Sequence, residues 1–147
     1  MNIVRNVLPH VARVLLGLTF FVFGLNGFLH FLPQPPMPAG ALPFLGGLAG
    51  AGYFFPLLKA TEVAAGVLLL SNRLVPLALT VLAPIVVNIA AFHVFLAPSP
   101  VMVAFLLIAE IYLAWPYRSA FRGVLAVRSA PESHRDQGTQ RPATVAE

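Results

Sequence analysis

Apolar residues dominate four stretches of the chain, and short polar or proline-rich segments separate them. The four stretches cover residues 11–32, 53–70, 74–96 and 101–117. About 20 mostly apolar residues are enough to cross the hydrocarbon core of a bilayer as one helix. The breaks contain a proline-rich run that starts at Pro33, a turn at Arg73, and Pro98. The pattern therefore predicts an all-α membrane protein, with residues 1–117 folded as an antiparallel bundle of four transmembrane helices.

The basic residues lie at the ends of these stretches and indicate how the helices are oriented. Those next to the stretches are Arg5, Arg13, Arg73, Arg118, Arg122 and Arg128. The other two loops, residues 33–52 and 97–100, contain no lysine or arginine. Because basic residues are enriched in short cytoplasmic loops, both termini are predicted to be cytoplasmic. The apolar, glycine-rich segment 41–52 would then form a short extra helix in the first outer loop, covered by protein.

A cleaved signal peptide is the competing interpretation of the first stretch. Ala39-Gly40-Ala41 resembles a cleavage site. The apolar run is longer than the core of an ordinary signal peptide, and this tripeptide lies well beyond its end. We therefore interpret residues 11–32 as the first transmembrane helix.

Composition agrees with a membrane protein and excludes several other classes. Hydrophobic residues make up 59% of the chain and charged residues 10%, whereas soluble chains carry about a quarter charged residues. The formal net charge is +4, but the arginines lie at the ends and at one turn, which excludes a basic face for nucleic acid. The chain has no cysteine, which excludes disulfides and an iron–sulfur cluster ligated by this chain. No pattern of metal ligands appears.

After residue 117 the chain becomes polar. Residues 118–127 are predicted to form a short interfacial helix. The whole segment 118–147 is predicted to be a cytoplasmic tail that is largely disordered, because its polar composition cannot bury a core.

Three charged residues, Lys59, Glu62 and Glu110, lie inside the apolar stretches. An ionisable group at the centre of a bilayer costs about 3 kcal/mol on insertion scales, so such residues commonly mark function. A rise of about 1.5 Å per residue places Lys59 and Glu62 roughly 9 and 14 Å below the outer end of the second helix. The same rise places Glu110 about 14 Å into the fourth helix, near the midplane.

Polar residues of the first and third helices lie at similar depth, so all four helices contribute to one predicted pocket in the outer half. Its predicted lining residues are Asn26, His30, Lys59, Glu62, Asn88, His93 and Glu110. The leading hypothesis is a pocket that binds a quinone-like or other small amphipathic ligand. No residue is assigned a catalytic role.

Each polar group also has a purely structural interpretation. Lys59 and Glu62 are three residues apart and can form an ion pair within one helix face. Asn26 and Asn88 can join helices by hydrogen bonds. In that case the protein would be a non-catalytic assembly subunit; a small transporter or proton carrier is a further alternative.

The two histidines allow two kinds of ligand interaction. His30 and His93 could ligate a haem from both sides, or hydrogen-bond the head group of a quinone and exchange protons near neutral pH. We favour the second hypothesis, because neither histidine lies deep in its helix.

Several segments together resemble the DoxX family of small four-helix membrane proteins. They are Phe23-Gly24-Leu25-Asn26-Gly27-Phe28, the loop Pro35-Pro36-Met37-Pro38, Gly52-Tyr53-Phe54-Phe55-Pro56-Leu57-Leu58-Lys59-Ala60-Thr61-Glu62, and Ala83-Pro84-Ile85-Val86-Val87-Asn88 with His93. The resemblance covers residues 10–118. It implies a multi-pass protein of a bacterial inner membrane, associated with redox complexes; the founding relatives are linked to quinol oxidase and thiosulfate:quinone oxidoreductase activities. The partner would be such a complex, with this chain as an accessory subunit, or a second copy in a homo-oligomer.

Overall fold

Five α-helices make up most of the part of the chain that the structure describes. The computed structural model describes residues 2–33, 36–123 and 125–127, with side chains from Val7 onward. The elements are α1 (Asn2–Leu29), a 3-10 turn (Ala39–Ala41), α2 (Leu42–Gly50), α3 (Phe54–Leu70), α4 (Val75–Phe95) and α5 (Pro100–Ala114). None of these described residues forms a β-strand. The predicted all-α class is confirmed, and α2 is the predicted extra helix between the first and second apolar stretches.

Two to three candidate membrane spans are present among the described residues, whereas the sequence predicted four. Val7–Leu29 of α1 and the whole of α4 are each long and apolar enough to cross a bilayer. The segment containing α2 meets α3 at 90°, and this bent pair counts as a third candidate only if it is one broken span. α5 is apolar but has 15 residues, which at ~1.5 Å per residue gives about 22 Å against a hydrocarbon core of about 30 Å.

α5 is shorter than its apolar stretch because the chain turns after Ala114. The Arg118 amide donates to the Trp115 carbonyl at 3.3 Å, and the Ala120 amide donates to the Tyr117 carbonyl at 2.9 Å. These bonds span three residues instead of four, and Pro116 has no N–H to continue the α-helix. The described part of the predicted interfacial helix 118–127 is therefore a series of turns. The predicted disordered tail, from residue 128 to 147, lies outside the described residues.

α1 and α3 pack antiparallel at very close range through glycines on both helices. A Cβ atom placed at Gly66 of α3 would lie 2.7 Å from the Phe21 amide nitrogen and 2.9 Å from the Gly17 carbonyl oxygen of α1. Both neighbours are backbone atoms, so no side chain can move aside. Small residues at a helix interface allow two backbones to approach this closely.

The remaining contacts close a ring of four helices. α3 packs on α4, α4 on α5, and α5 on α1. The core is formed by side chains from all four: Leu16, Phe20, Leu69, Leu79, Leu82, Val86, Leu106 and Leu113. Large apolar side chains also cover the outside, and Phe95 and Val101 are each 81% exposed. An apolar surface of this extent suggests contact with lipid, because soluble proteins rarely expose large apolar patches to water.

Replacing Gly66 by alanine is expected to destabilise the α1–α3 contact. The added methyl group would collide with the backbone of α1, and overpacking of this kind costs about 1–3 kcal/mol. Unfolding of the detergent-solubilised protein measures the change. The matched control is Gly46→Ala in α2, where an added Cβ meets nothing within 4 Å; alanine there should be neutral or stabilise by up to about 1 kcal/mol. Equal stability of the two variants would contradict the close packing.

Candidate functional site

A cavity of about 380 Å³ lies inside the ring and is lined by α1, α3, α4 and α5. Its polar side chains are Thr19, Lys59, Glu62 and His93. The rest of its wall is apolar: Phe20, Phe23, Leu58, Ile89, Met102, Phe105 and Leu106. We call it the four-helix cavity. It lies toward the end of the bundle where α1 and α4 finish and α3 and α5 begin, which we call the Asn26 end; the opposite end is the Arg13 end.

Lys59 and Glu62 form the charged part of this cavity. The Lys59 ammonium nitrogen lies 2.7 Å from Glu62 Oε2, one turn apart on α3. The Glu62 side chain is 3% exposed, whereas that of Lys59 is 25% exposed. An ammonium group has three N–H donors, and this carboxylate is its one hydrogen-bond partner among the described residues. Donors therefore remain for a ligand in the cavity.

Glycines of α1 determine where this pair lies. A Cβ at Gly27 would be 2.6 Å from Lys59 Cδ, and one at Gly24 would be 3.2 Å from Glu62 Cβ. The aliphatic stem of Lys59 thus crosses α1 at a residue that has no side chain. The pair is held against α1 by the same close packing that joins α1 to α3.

His93 contributes a third polar group to the cavity. Its Nδ1 lies 2.8 Å from the Ala97 carbonyl oxygen. Because a carbonyl only accepts, we assign the proton to Nδ1, and the neutral ring then has Nε2 as an acceptor. The Phe92 ring packs edge-on against His93, with centroids 5.1 Å apart. The ring is therefore fixed at the wall by one hydrogen bond and one aromatic contact.

Asn26 and His30 lie at the Asn26 end but do not line the cavity. Asn26 is 4% exposed, and its Oδ1 accepts a hydrogen bond from the Leu32 amide at 2.7 Å. This bond fixes the turn that follows α1. His30 is exposed and has φ 51°. Of the two histidines proposed as haem ligands, His93 is the one that lines the cavity.

Asn88 and Glu110 do not line the four-helix cavity. The core-facing residues of α4 include Leu82, Val86 and Ala90, and Asn88 lies two residues from Val86, about 200° around the helix. Its side chain is exposed. Glu110 is buried, but it lines a different cavity, between α4 and α5. The structure thus brings three of the seven predicted residues, Lys59, Glu62 and His93, to one cavity.

A buried arginine was missed by the sequence analysis. Arg13 is 8% exposed, and its guanidinium donates to the carbonyl oxygens of Leu69 and Leu70. These carbonyls end α3, where a positive charge is stabilised by the helix dipole. The signal was its spacing: Arg13 lies four residues before Gly17, on the face of α1 that contacts α3.

Comparison with protein-family models, with curated proteins and with solved structures finds no match to this chain. The resemblance to the DoxX family stays a prediction. Within the described residues, no three His, Cys, Asp or Glu side chains are grouped so that they could hold a metal ion.

Lys59→Met is expected to destabilise the protein more than the double variant Lys59→Met/Glu62→Leu. Removing the lysine leaves a buried carboxylate without its partner, which costs about 3–5 kcal/mol, whereas replacing both charges by apolar groups is close to neutral. Glu62→Leu alone should cost less than Lys59→Met, because the charge left behind is then the ammonium of Lys59, which is 25% exposed, and not the carboxylate of Glu62, which is 3% exposed. Unfolding of all four proteins in detergent gives the coupling energy of the pair. Additive effects of the two single variants would show that the pair is not coupled.

Proposed function

We propose that this chain is a DoxX-like integral membrane protein, associated with redox complexes of a bacterial inner membrane. In this proposal the four-helix cavity binds a quinone-like or other small amphipathic ligand. The observation that carries the proposal is the convergence of Lys59, Glu62 and His93 on one otherwise apolar cavity. Small-molecule sites typically have about 300–1,000 Å³ and mostly apolar walls with a few placed polar groups, and this cavity fits that description.

The proposed topology has α1, α3, α4 and α5 crossing the membrane, with both termini in the cytoplasm. The basic residues support it, because Arg73 follows α3 and Arg118 follows α5, both at the Arg13 end. The loops at the Asn26 end contain no lysine or arginine, as expected for the outer side. α3 and α5 are shorter than a full span, which a bilayer accommodates by local thinning. The four-helix cavity then lies in the outer half of the membrane.

The polar groups of the cavity complement both oxidation states of a quinone. Quinone carbonyl oxygens accept hydrogen bonds, and the free N–H groups of Lys59 can donate them. The hydroxyl groups of a quinol donate, and the Glu62 carboxylate and His93 Nε2 can accept them. The aromatic and aliphatic walls, such as Phe20 and Ile89, suit the apolar ring and chain. A single cavity can therefore hold either form.

Titration of the purified protein with a short-chain ubiquinone tests this function. Saturable binding is expected, with an affinity at least about tenfold lower in Lys59→Ala, which removes roughly 1.4 kcal/mol or more of hydrogen bonding to a charged donor. Ile89→Phe should weaken binding as well, because it fills the cavity without changing a charge.

His30→Ala is the control for this titration, because His30 lies outside the cavity and should not matter. Absence of saturable binding, or equal affinity of Lys59→Ala and wild type, would refute the proposed ligand site.

A second candidate function, a non-catalytic assembly subunit, is favoured by one observation. Asn88 presents its amide on the outside of α4, a helix whose mean hydropathy is 2.2. An amide both donates and accepts, so Asn88 of one copy can pair with Asn88 of a second copy across two α4 helices. Hydrogen bonds of this kind hold transmembrane helices together.

Asn88→Leu is expected to weaken self-association of the protein in liposomes, measured by energy transfer between labelled copies. An interhelical hydrogen bond contributes about 1 kcal/mol, which corresponds to roughly fivefold weaker association. Thr61→Val is the control, since the Thr61 hydroxyl is already bonded to the Leu57 carbonyl at 2.8 Å. If Asn88→Leu and Thr61→Val associate equally well, Asn88 does not join copies of the protein.

A further inference from the structure

A second cavity, separate from the one that carries the proposed function, lies between α4 and α5. Its volume is about 530 Å³, and it is lined by α4, α5 and the turns that follow α5. Its wall includes Leu79 and Ala83 of α4 and Ile111 of α5, and Arg118 and Trp115 lie beside it. We call it the α4–α5 cavity. It shares no lining residue with the four-helix cavity.

Glu110 is the one acidic group in the wall of this cavity. Its side chain is buried, with the residue 8% exposed. Its Oε2 has no hydrogen-bond partner among the residues that the structure describes. A buried polar atom without a partner costs about 1–3 kcal/mol. A ligand that supplies a donor at this atom would remove that cost, so the carboxyl group is a specific attachment point in an apolar cavity.

The polar neighbours of Glu110 in the cavity wall are bonded to other atoms. The Thr80 hydroxyl lies 2.9 Å from the Pro76 carbonyl oxygen, to which it donates. Arg118 donates to the Trp115 carbonyl at 3.1 Å, and its guanidinium lies 5.4 Å from the centre of the Trp115 ring. Lys59–Glu62 is the only salt bridge among the described residues, so Arg118 forms no direct ion pair with Glu110.

We propose that the α4–α5 cavity binds an amphipathic molecule whose head group donates a hydrogen bond, a protonated amine or a hydroxyl, to Glu110. The apolar body of the ligand would lie against Leu79, Ala83 and Ile111. A carboxylate or phosphate head is disfavoured at Glu110, because it would bring further acceptor atoms to an acceptor that has no donor. This site uses other residues than the proposed quinone site, and either one can be absent without the other.

Trp115 makes the test direct, because it is the only tryptophan of the chain and it lines this cavity. The full-length protein is placed in phosphatidylcholine nanodiscs and titrated with dodecylamine, dodecanol or dodecanoate, each brominated at the end of its chain. Bromine quenches tryptophan fluorescence on contact. Partition into the lipid gives quenching that rises without saturation and is similar for the three head groups. We expect an added saturable component for the amine or the alcohol, and none for dodecanoate.

Variants of the cavity separate binding at Glu110 from partition. Glu110→Leu is expected to lower the affinity of the saturable component at least tenfold. Ala83→Phe, which fills the cavity and leaves Glu110 in place, should have the same effect, so the test does not depend on one variant folding. Thr61→Val, outside both cavities, should bind as wild type does.

The titrations test whether a ligand binds at Glu110 and also which type of head group it carries. Stronger binding of the amine supports an ion pair with Glu110, and stronger binding of the alcohol supports a neutral hydrogen bond. Equal, non-saturable quenching by all three probes would overturn the proposal, as would wild-type affinity in Glu110→Leu. Because the quinone titration uses different residues, its failure would leave this result unchanged.

Discussion

The close contact between α1 and α3 is the constraint on which the rest of the bundle depends. Helices usually pack with their axes about 8–10 Å apart, but Gly17 and Gly66 leave room only for backbone against backbone at this crossing. The same face of α1 also carries Gly27, over which the Lys59 side chain passes. A larger residue at Gly66 would move α3 away from α1, because the atoms that it would meet belong to the backbone of α1. The positions of Arg13, Lys59 and Glu62 follow from this one interface.

The buried charges of Glu62 and Arg13, near the α1–α3 interface, are compensated in different ways. Toward the Asn26 end, Glu62 is paired with Lys59 on its own helix. At the Arg13 end, the guanidinium of Arg13 binds the terminal carbonyl groups of α3, whose partial negative charge balances it. Unpaired buried charges cost several kcal/mol, and these two arrangements offset that cost. Glu110 has neither kind of partner for its Oε2 among the described residues. This is the chemical difference between the two cavities.

The two cavities accordingly offer different chemistry to a ligand. The four-helix cavity combines donors from Lys59 with acceptors from Glu62 and His93. This combination suits a molecule that carries carbonyl oxygens when oxidised and hydroxyl groups when reduced. The α4–α5 cavity offers an acidic group without a cationic partner and an apolar wall, which suits a molecule that donates. A protein with both could hold two unlike amphipathic molecules at opposite ends of one bundle. The quinone hypothesis concerns the first cavity alone.

The sequence alone determined what depends on position along the chain. The lengths of the apolar runs indicated the helical class and α2, and the three-residue spacing of Lys59 and Glu62 indicated their ion pair. Tertiary structure decided what depends on rotation about each helix axis. α4 and α5 have apolar residues on all their faces, so no amphipathic stripe showed that Asn88 of α4 points outward or that Glu110 of α5 lines another cavity. Arg13 was taken for a flanking charge because its partners, the carbonyl groups that end α3, belong to the backbone and leave no mark in the sequence.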